Sequence, residues 1–152
     1  MNAAAKAAGT SESHDRVDAP AGTIQLVVVT PEATVLDRRV DFVALPLYDG
    51  EIGIAPGRAP MIGRLGYGEL RLVEGSQKDR FYVDGGFVQV AGNVVSVLTP
   101  RAVPAQAIDP PAAAELLAAA RARKANSEEL LGLRDRLERQ ARAQIRLAAR
   151  AK

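Results

Sequence analysis

The sequence has no cysteine, no tryptophan and a single histidine, and aromatic residues make up only 4% of its 152 positions. Each shortage excludes something. Without cysteine there is no disulfide framework and no thiolate for metal binding or nucleophilic attack. The lone histidine, His14, has no cysteine or carboxylate spacing around it that would complete a ligand set, and reads as a solvated tail residue. With so few aromatics, a core has to be built from Val, Ile, Leu and Ala. No apolar run approaches about eighteen residues, and the opening Met1-Asn2-Ala3-Ala4-Ala5-Lys6-Ala7-Ala8-Gly9 lacks the apolar stretch of a signal peptide. The expectation is a soluble chain that reaches a membrane only through a partner.

What is present is a modest apolar content of 47% and an uneven distribution of charge. Residues 1–111 carry ten Lys/Arg against thirteen Asp/Glu, a balance of −3, whereas residues 112–152 carry ten against five, a balance of +5. The positive charge is therefore in the tail, where acidic protein surfaces, nucleic acid or anionic lipid are its natural partners.

Residues 1–22 are rich in Ala, Ser, Gly and charge without apolar periodicity, and read as a disordered extension. From residue 23 to 100 the pattern is one of short β-branched runs: 24–29, 34–36, 40–45, 61–65, 69–73, 80–84, 87–90 and 94–98. Gly, Pro, Asn or Asp fill the gaps. Even spacing without intervening helices predicts an antiparallel β-sandwich or barrel. Glu69-Leu70-Arg71-Leu72 alternates as a half-buried strand should. Asp84-Gly85-Gly86 and Gly92-Asn93 read as tight turns. The stretch 49–60, with three glycines and two prolines, reads as a shaped loop interrupted by a short strand with Ile52 and Ile54 on one face, and it presents Glu51 and Arg58. Strands are expected to stop at Thr99-Pro100, leaving 101–108 as a linker.

Residues 109–152 predict a helical hairpin. Asp109 before Pro110 and Pro111 has the form of a helix start, with the Asp109 carboxylate as cap. Asn126 and Glu129 have capping-box spacing for a second helix. On that helix Leu130, Leu133, Leu137, Ala141 and Ala148 share one face, with Arg139, Arg142, Arg146 and Arg150 in a row opposite. The apolar stripe is narrow and rich in alanine, and Gly132 weakens the helix by roughly 1 kcal/mol relative to alanine. A fold-back held so thinly is suited to a conformational switch.

No catalytic constellation is present. Asp79 and Asp84 flank one strand and read as exposed strand-end charges rather than an acid/base pair. The arginine row is a solvated face by default, but four arginines with few acids beside them also suit an acidic partner.

Five runs in order carry a resemblance: Gly50-Glu51-Ile52-Gly53-Ile54 with Pro56-Gly57-Arg58-Ala59-Pro60, then Gly68-Glu69-Leu70-Arg71, Gly85-Gly86-Phe87-Val88-Gln89-Val90, Asn93-Val94-Val95-Ser96-Val97-Leu98, and Ile108-Asp109 before a helical tail. Together they resemble the epsilon subunit of F-type ATP synthases, a family that includes the mitochondrial delta subunit. The resemblance implies an α+β protein in two parts, a β-sandwich followed by a helical hairpin, without an active site of its own. It implies packing on the gamma subunit, a loop with Glu51 and Arg58 facing the c-subunit ring, and a hairpin whose Arg139, Arg142, Arg146 and Arg150 meet the catalytic beta and alpha subunits and oppose ATP hydrolysis. The implied location is the cytoplasmic face of the bacterial inner membrane, as a peripheral part of the synthase. Arg58 replaces a histidine common in the family, so a titratable ring becomes a permanent cation. Some relatives bind ATP through Ile/Leu-Asp-x-x-Arg-Ala; here the run is Ile108-Asp109-Pro110-Pro111-Ala112-Ala113, and Ala112 removes the phosphate-binding guanidinium. No cofactor is therefore expected. The other reading of the residues is a small sandwich with an arginine-rich tail for RNA or acidic proteins. It lacks aromatic residues in the basic tail for stacking on bases, so nucleic acid is not expected as a partner.

Overall fold

The structure is a computed structural model in which residues 22–151 are described. The expected tail at 1–22 thus falls almost wholly outside the described residues. Eight strands come first: β1 (Ile24–Val29), β2 (Thr34–Val40), β3 (Phe42–Leu47), β4 (Gly50–Ile54), β5 (Met61–Glu74), β6 (Gln77–Ala91), β7 (Val94–Leu98) and β8 (Ala102–Pro104). A 3-10 turn, Ala105–Ala107, leads to α1 (Pro110–Ala122) and α2 (Glu128–Arg150).

The strands form one hydrogen-bonded path, β2-β1-β7-β6-β5-β3-β4, with β8 paired to β6. Strands β5 and β6 are long enough to serve both halves of it. The C-terminal half of β6 pairs with β7 through Phe87 to Ala91, while its N-terminal half pairs with β8 through Phe81 to Val83. The path wraps around one core, in which Leu26 and Val28 of β1 pack with Leu45 of β3, Leu70 and Leu72 of β5, and Val88 and Val90 of β6. Arg38 on β2 closes the wrap by bridging Glu74 and Asp79 at the far end of the β5–β6 pair.

Several expectations change. The pair β1–β7 is parallel, whereas every other pair is antiparallel. No crossover helix is required, because the chain between β1 and β7 travels through the other strands. The runs 61–65 and 69–73 are one strand, and so are 80–84 and 87–90. Their glycines permit close approach instead of turning the chain: a Cβ on Gly66 would stand 2.8 Å from the Leu47 carbonyl oxygen, and one on Gly86 would stand 1.9 Å from that of Leu98. The strands do not stop at Thr99-Pro100, since β8 and the following turn occupy most of 101–108. One expectation holds: β4 is the short strand read at Ile52 and Ile54 inside the shaped loop.

The helices do fold back on each other, but their starts differ from expectation. The Asp109 side chain makes no capping bond; its backbone carbonyl accepts from the Ala113 amide at 3.0 Å. Ser127, not Asn126, caps α2, its hydroxyl accepting from the Leu130 amide at 3.2 Å. The cap therefore shifts by one residue and puts Leu130 where the capping box wanted a carboxylate.

Candidate partner-binding surfaces

Helix α2 joins the two parts of the molecule. One of its faces meets α1, where Leu137 and Ala141 lie beside Leu116 and Ala120, while Ala143 and Leu147 pack on Tyr82 of β6 and on Ala105. The second face is absent from the sequence reading because two small apolar residues on an arginine-rich helix make no visible stripe. Polar bonds add to this contact. Asp84 Oδ1 accepts from the Tyr82 hydroxyl at 2.8 Å and from Gln140 Nε2 of α2 at 2.8 Å. Burial, and then the Asp84 carboxylate, push the Tyr82 phenol well above its ordinary pKa. Asp79, its side chain 39% exposed near the start of β6, does hold Arg38, whereas Asp84 is not a strand-end charge but lies inside β6 and holds a strand and a helix together.

The row Arg139, Arg142, Arg146 and Arg150 is exposed. It also borders the sandwich. Arg139, Arg142 and Arg146 line a cavity of ≈ 240 Å³ with Leu47, Tyr48, Gly66 and Tyr67. Arg142 pairs with Glu138 at 3.1 Å, and Arg150 pairs with Glu69 of β5 at 3.2 Å.

Glu51 and Arg58 are not brought together. Glu51 lies opposite Pro46 at the start of β4, 3.5 Å from Arg71. Arg58 follows the far end of that strand, at a turn where Gly57 has φ +83° and its amide donates to Asn93 Oδ1 at 2.7 Å. The length of β4, about 3.3 Å per residue, separates them. They can meet the same partner only at two separate points.

A third surface escaped the sequence reading. Phe87 and Leu98 are cross-strand neighbours, 57% and 56% exposed, in an apolar hollow completed by Val29, Pro31 and Pro100. Ile62, 77% exposed, lies on the neighbouring strand β5. Alternation could have found it, since Phe87 and Leu98 occupy outward positions on their strands. Neither helix lines this hollow. A contiguous apolar patch on a folded domain marks an interaction site more often than an isolated exposed residue does.

Between the helices and the sheet lies a further cavity of ≈ 280 Å³, bordered by Asp84, Arg101, Leu116, Arg123, Leu137 and Gln140. Ala112 does not line it and is exposed. Among the described residues no group of three or more His, Cys, Asp or Glu side chains could hold a metal ion, and no helix is long and apolar enough to cross a membrane.

Comparison with known proteins bears directly on this two-part arrangement. Residues 23–105 match the family model described as ATP synthase, Delta/Epsilon chain, beta-sandwich domain. The ATP synthase epsilon chain of Rhodopirellula baltica is 52% identical over 124 residues, covering 82% of this chain and 97% of that one. That of Granulibacter bethesdensis is 41% identical over 106 residues, covering 69% and 78%. Among solved structures, a chain of the Euglena gracilis mitochondrial ATP synthase, in a structure of OSCP/F1/c-ring, superposes with a TM-score of 0.72 at 27% identity, covering 86% of this chain and 82% of that one. A chain of the Tetrahymena thermophila mitochondrial ATP synthase central stalk and c-ring shares the fold, with a TM-score of 0.64 at 12% identity, covering 84% and 95%. The sandwich that the family model describes is the one wrapped around the Leu26–Leu70 core, its match ends within the turn that follows β8, and the chain belongs to the ATP synthase delta/epsilon family.

Proposed function

We propose that the protein is a noncatalytic central-stalk subunit of F-type ATP synthase, in which the sandwich holds the gamma subunit to the c ring and the hairpin opposes ATP hydrolysis. The observation that carries this reading is the uncovered apolar face around Phe87 and Leu98, on a sandwich whose core is already complete. It offers gamma a docking site that leaves α2 undisturbed. Glu51 and Arg58, at the two ends of an edge strand, are the candidates for two separate contacts with the c ring. Release of α2 from the sandwich would part Arg150 from Glu69 and open the cavity that Arg139, Arg142 and Arg146 line, presenting the whole row to acidic segments of the catalytic beta and alpha subunits. The subunit would then sit on the cytoplasmic face of a bacterial inner membrane, held there by the complex.

The experiment is reconstitution of ATP synthase with the full chain or with one ending at Ile108. This cut spares β8 and the turn holding Ala105, which removal after Val103 would damage. Assembly and ATP synthesis should persist while hydrolysis rises. Unchanged hydrolysis would remove the brake from the proposal. Phe87→Glu should abolish co-purification with gamma, and retention would move the gamma site elsewhere. The Ala112 substitution supports weak or absent nucleotide binding, which calorimetry with ATP tests. Micromolar affinity would overturn that part.

A further inference from the structure

Glu69 lies on the outward face of β5, yet its side chain keeps only 10% of its exposure. Three guanidinium groups cover it: Arg71 at 3.5 Å, Arg80 at 3.6 Å and Arg150 at 3.2 Å. The first two belong to the sandwich and the third to the last turn of α2. Arg80 reaches further, donating from Nη1 to the Arg150 carbonyl at 3.1 Å. That carbonyl is among the last four of the helix, which lack partners within it. A cation placed there satisfies an acceptor and meets the negative end of the helix dipole. The end of α2 is therefore held by side chain and by backbone, both through groups gathered on Glu69.

A second element joins this cluster. The other nitrogen of Arg71 lies 3.5 Å from Glu51 on β4, so one guanidinium is shared between Glu51 and Glu69. We propose that Glu69 is the catch of an ionic latch holding the C-terminal turn of α2 on the sandwich, and that Arg71 links this catch to Glu51. Apolar contact leaves the docking thin, since Leu147 is the one large aliphatic side chain among the buried residues of α2. Neutralising Glu69 would leave three cations crowded together, so the end of α2 would be repelled as well as released. A cationic group drawn to Glu51 would take it from Arg71, let Arg71 concentrate on Glu69 and weaken the hold of Glu69 on Arg150. The latch belongs to the chain by itself; only its effect on hydrolysis rests on the proposed brake.

Amide hydrogen exchange on the full chain tests it. Glu69→Gln should speed exchange across residues 143–151 by about tenfold, while the core strands keep their protection. Raising the ionic strength to about 1 M, where the screening length is near 3 Å, should act in the same direction. Glu74→Gln, which removes a carboxylate paired with Arg38, should leave α2 at the wild-type rate. If Glu69→Gln loosens the strands as well, the exposed Arg150→Gln still decides: it should speed α2 exchange several-fold. Wild-type exchange in Arg150→Gln, or in Glu69→Gln with intact strands, overturns the latch. Glu51→Gln should speed α2 exchange about twofold, and this effect should vanish when Arg71→Gln is also present. An equal effect in both backgrounds removes Arg71 from the proposal. Fast exchange with unchanged hydrolysis in the assembled enzyme would keep the latch and discard the brake.

Discussion

The sandwich and the hairpin bury their surfaces with different side chains, and the contrast explains why one is a body and the other an attachment. The sandwich closes around Ile24, Leu26, Leu45, Leu70 and Leu72, each fully buried. The buried positions of the helices are mostly alanines: Ala113 and Ala120 of α1, with Ala141, Ala143 and Ala148 of α2. Full burial of a leucine side chain contributes about 1.5–3 kcal/mol, against roughly 0.8 kcal/mol for a single methylene-sized group. Alanine lets helices approach closely but holds them lightly. What the hairpin lacks in apolar burial it partly makes up with directional bonds at Asp84 and Glu69, which a competing partner can replace one by one.

The largest expected effect is in the sandwich. Leu70→Ala should cost about 3 kcal/mol of global stability in denaturant unfolding, because a close-packed core relaxes only partly around the cavity. A cost below about 1 kcal/mol would break the contrast. Leu147→Ala should weaken the docking of α2 by about 2 kcal/mol, seen as faster exchange in α2 with unchanged strands. Global loss of protection would instead make the two regions one cooperative unit.

Alkaline pH sharpens the comparison at a single residue. The Tyr82 pKa is raised in the folded chain, so the folded state retains a proton that the unfolded state gives up. The stability is full below about pH 10 and falls by about 1.4 kcal/mol per pH unit above it. Tyr82→Phe should lack this part of the slope when thermal midpoints are compared across alkaline pH. The smallest effect is a gain: Gly132 in α2 has nothing within 4 Å of where a Cβ would stand. Gly132→Ala should therefore stabilise the helix by about 0.5–1 kcal/mol, measured as a small rise in its melting temperature.

Elements with a clear period or a clear stop were legible in the sequence: β1, β7, the turn at Asn93 with its φ of +59°, and the two helices. Glycines misled wherever they serve proximity. Gly66 and Gly86 punctuate the sequence like turns, yet each lies inside a continuous strand because a neighbouring carbonyl occupies the place of its side chain. The short strand β8 was hidden by Pro100 and Pro104, which allow pairing along one edge and look like breaks. Of the candidate sites, the arginine row was legible because helical spacing displays it. The cluster on Glu69 was not, since it gathers residues from β5, β6 and α2 whose meeting depends on the final packing. Asp84 was visible as a charge at a strand end, but its bond to Gln140 could not be anticipated from either residue.

Strands β5 and β6 pair almost continuously from Met61↔Val90 to Glu74↔Gln77, whereas α2 is fixed to the sandwich at separate points from Gln140 to Arg150. A pull along β5 against β6 loads many backbone bonds at once, in shear. A pull on the chain end strips the contacts of α2 in turn, as tape is peeled. The same chain therefore resists sliding along its long strand pair and yields to a small force at its terminus.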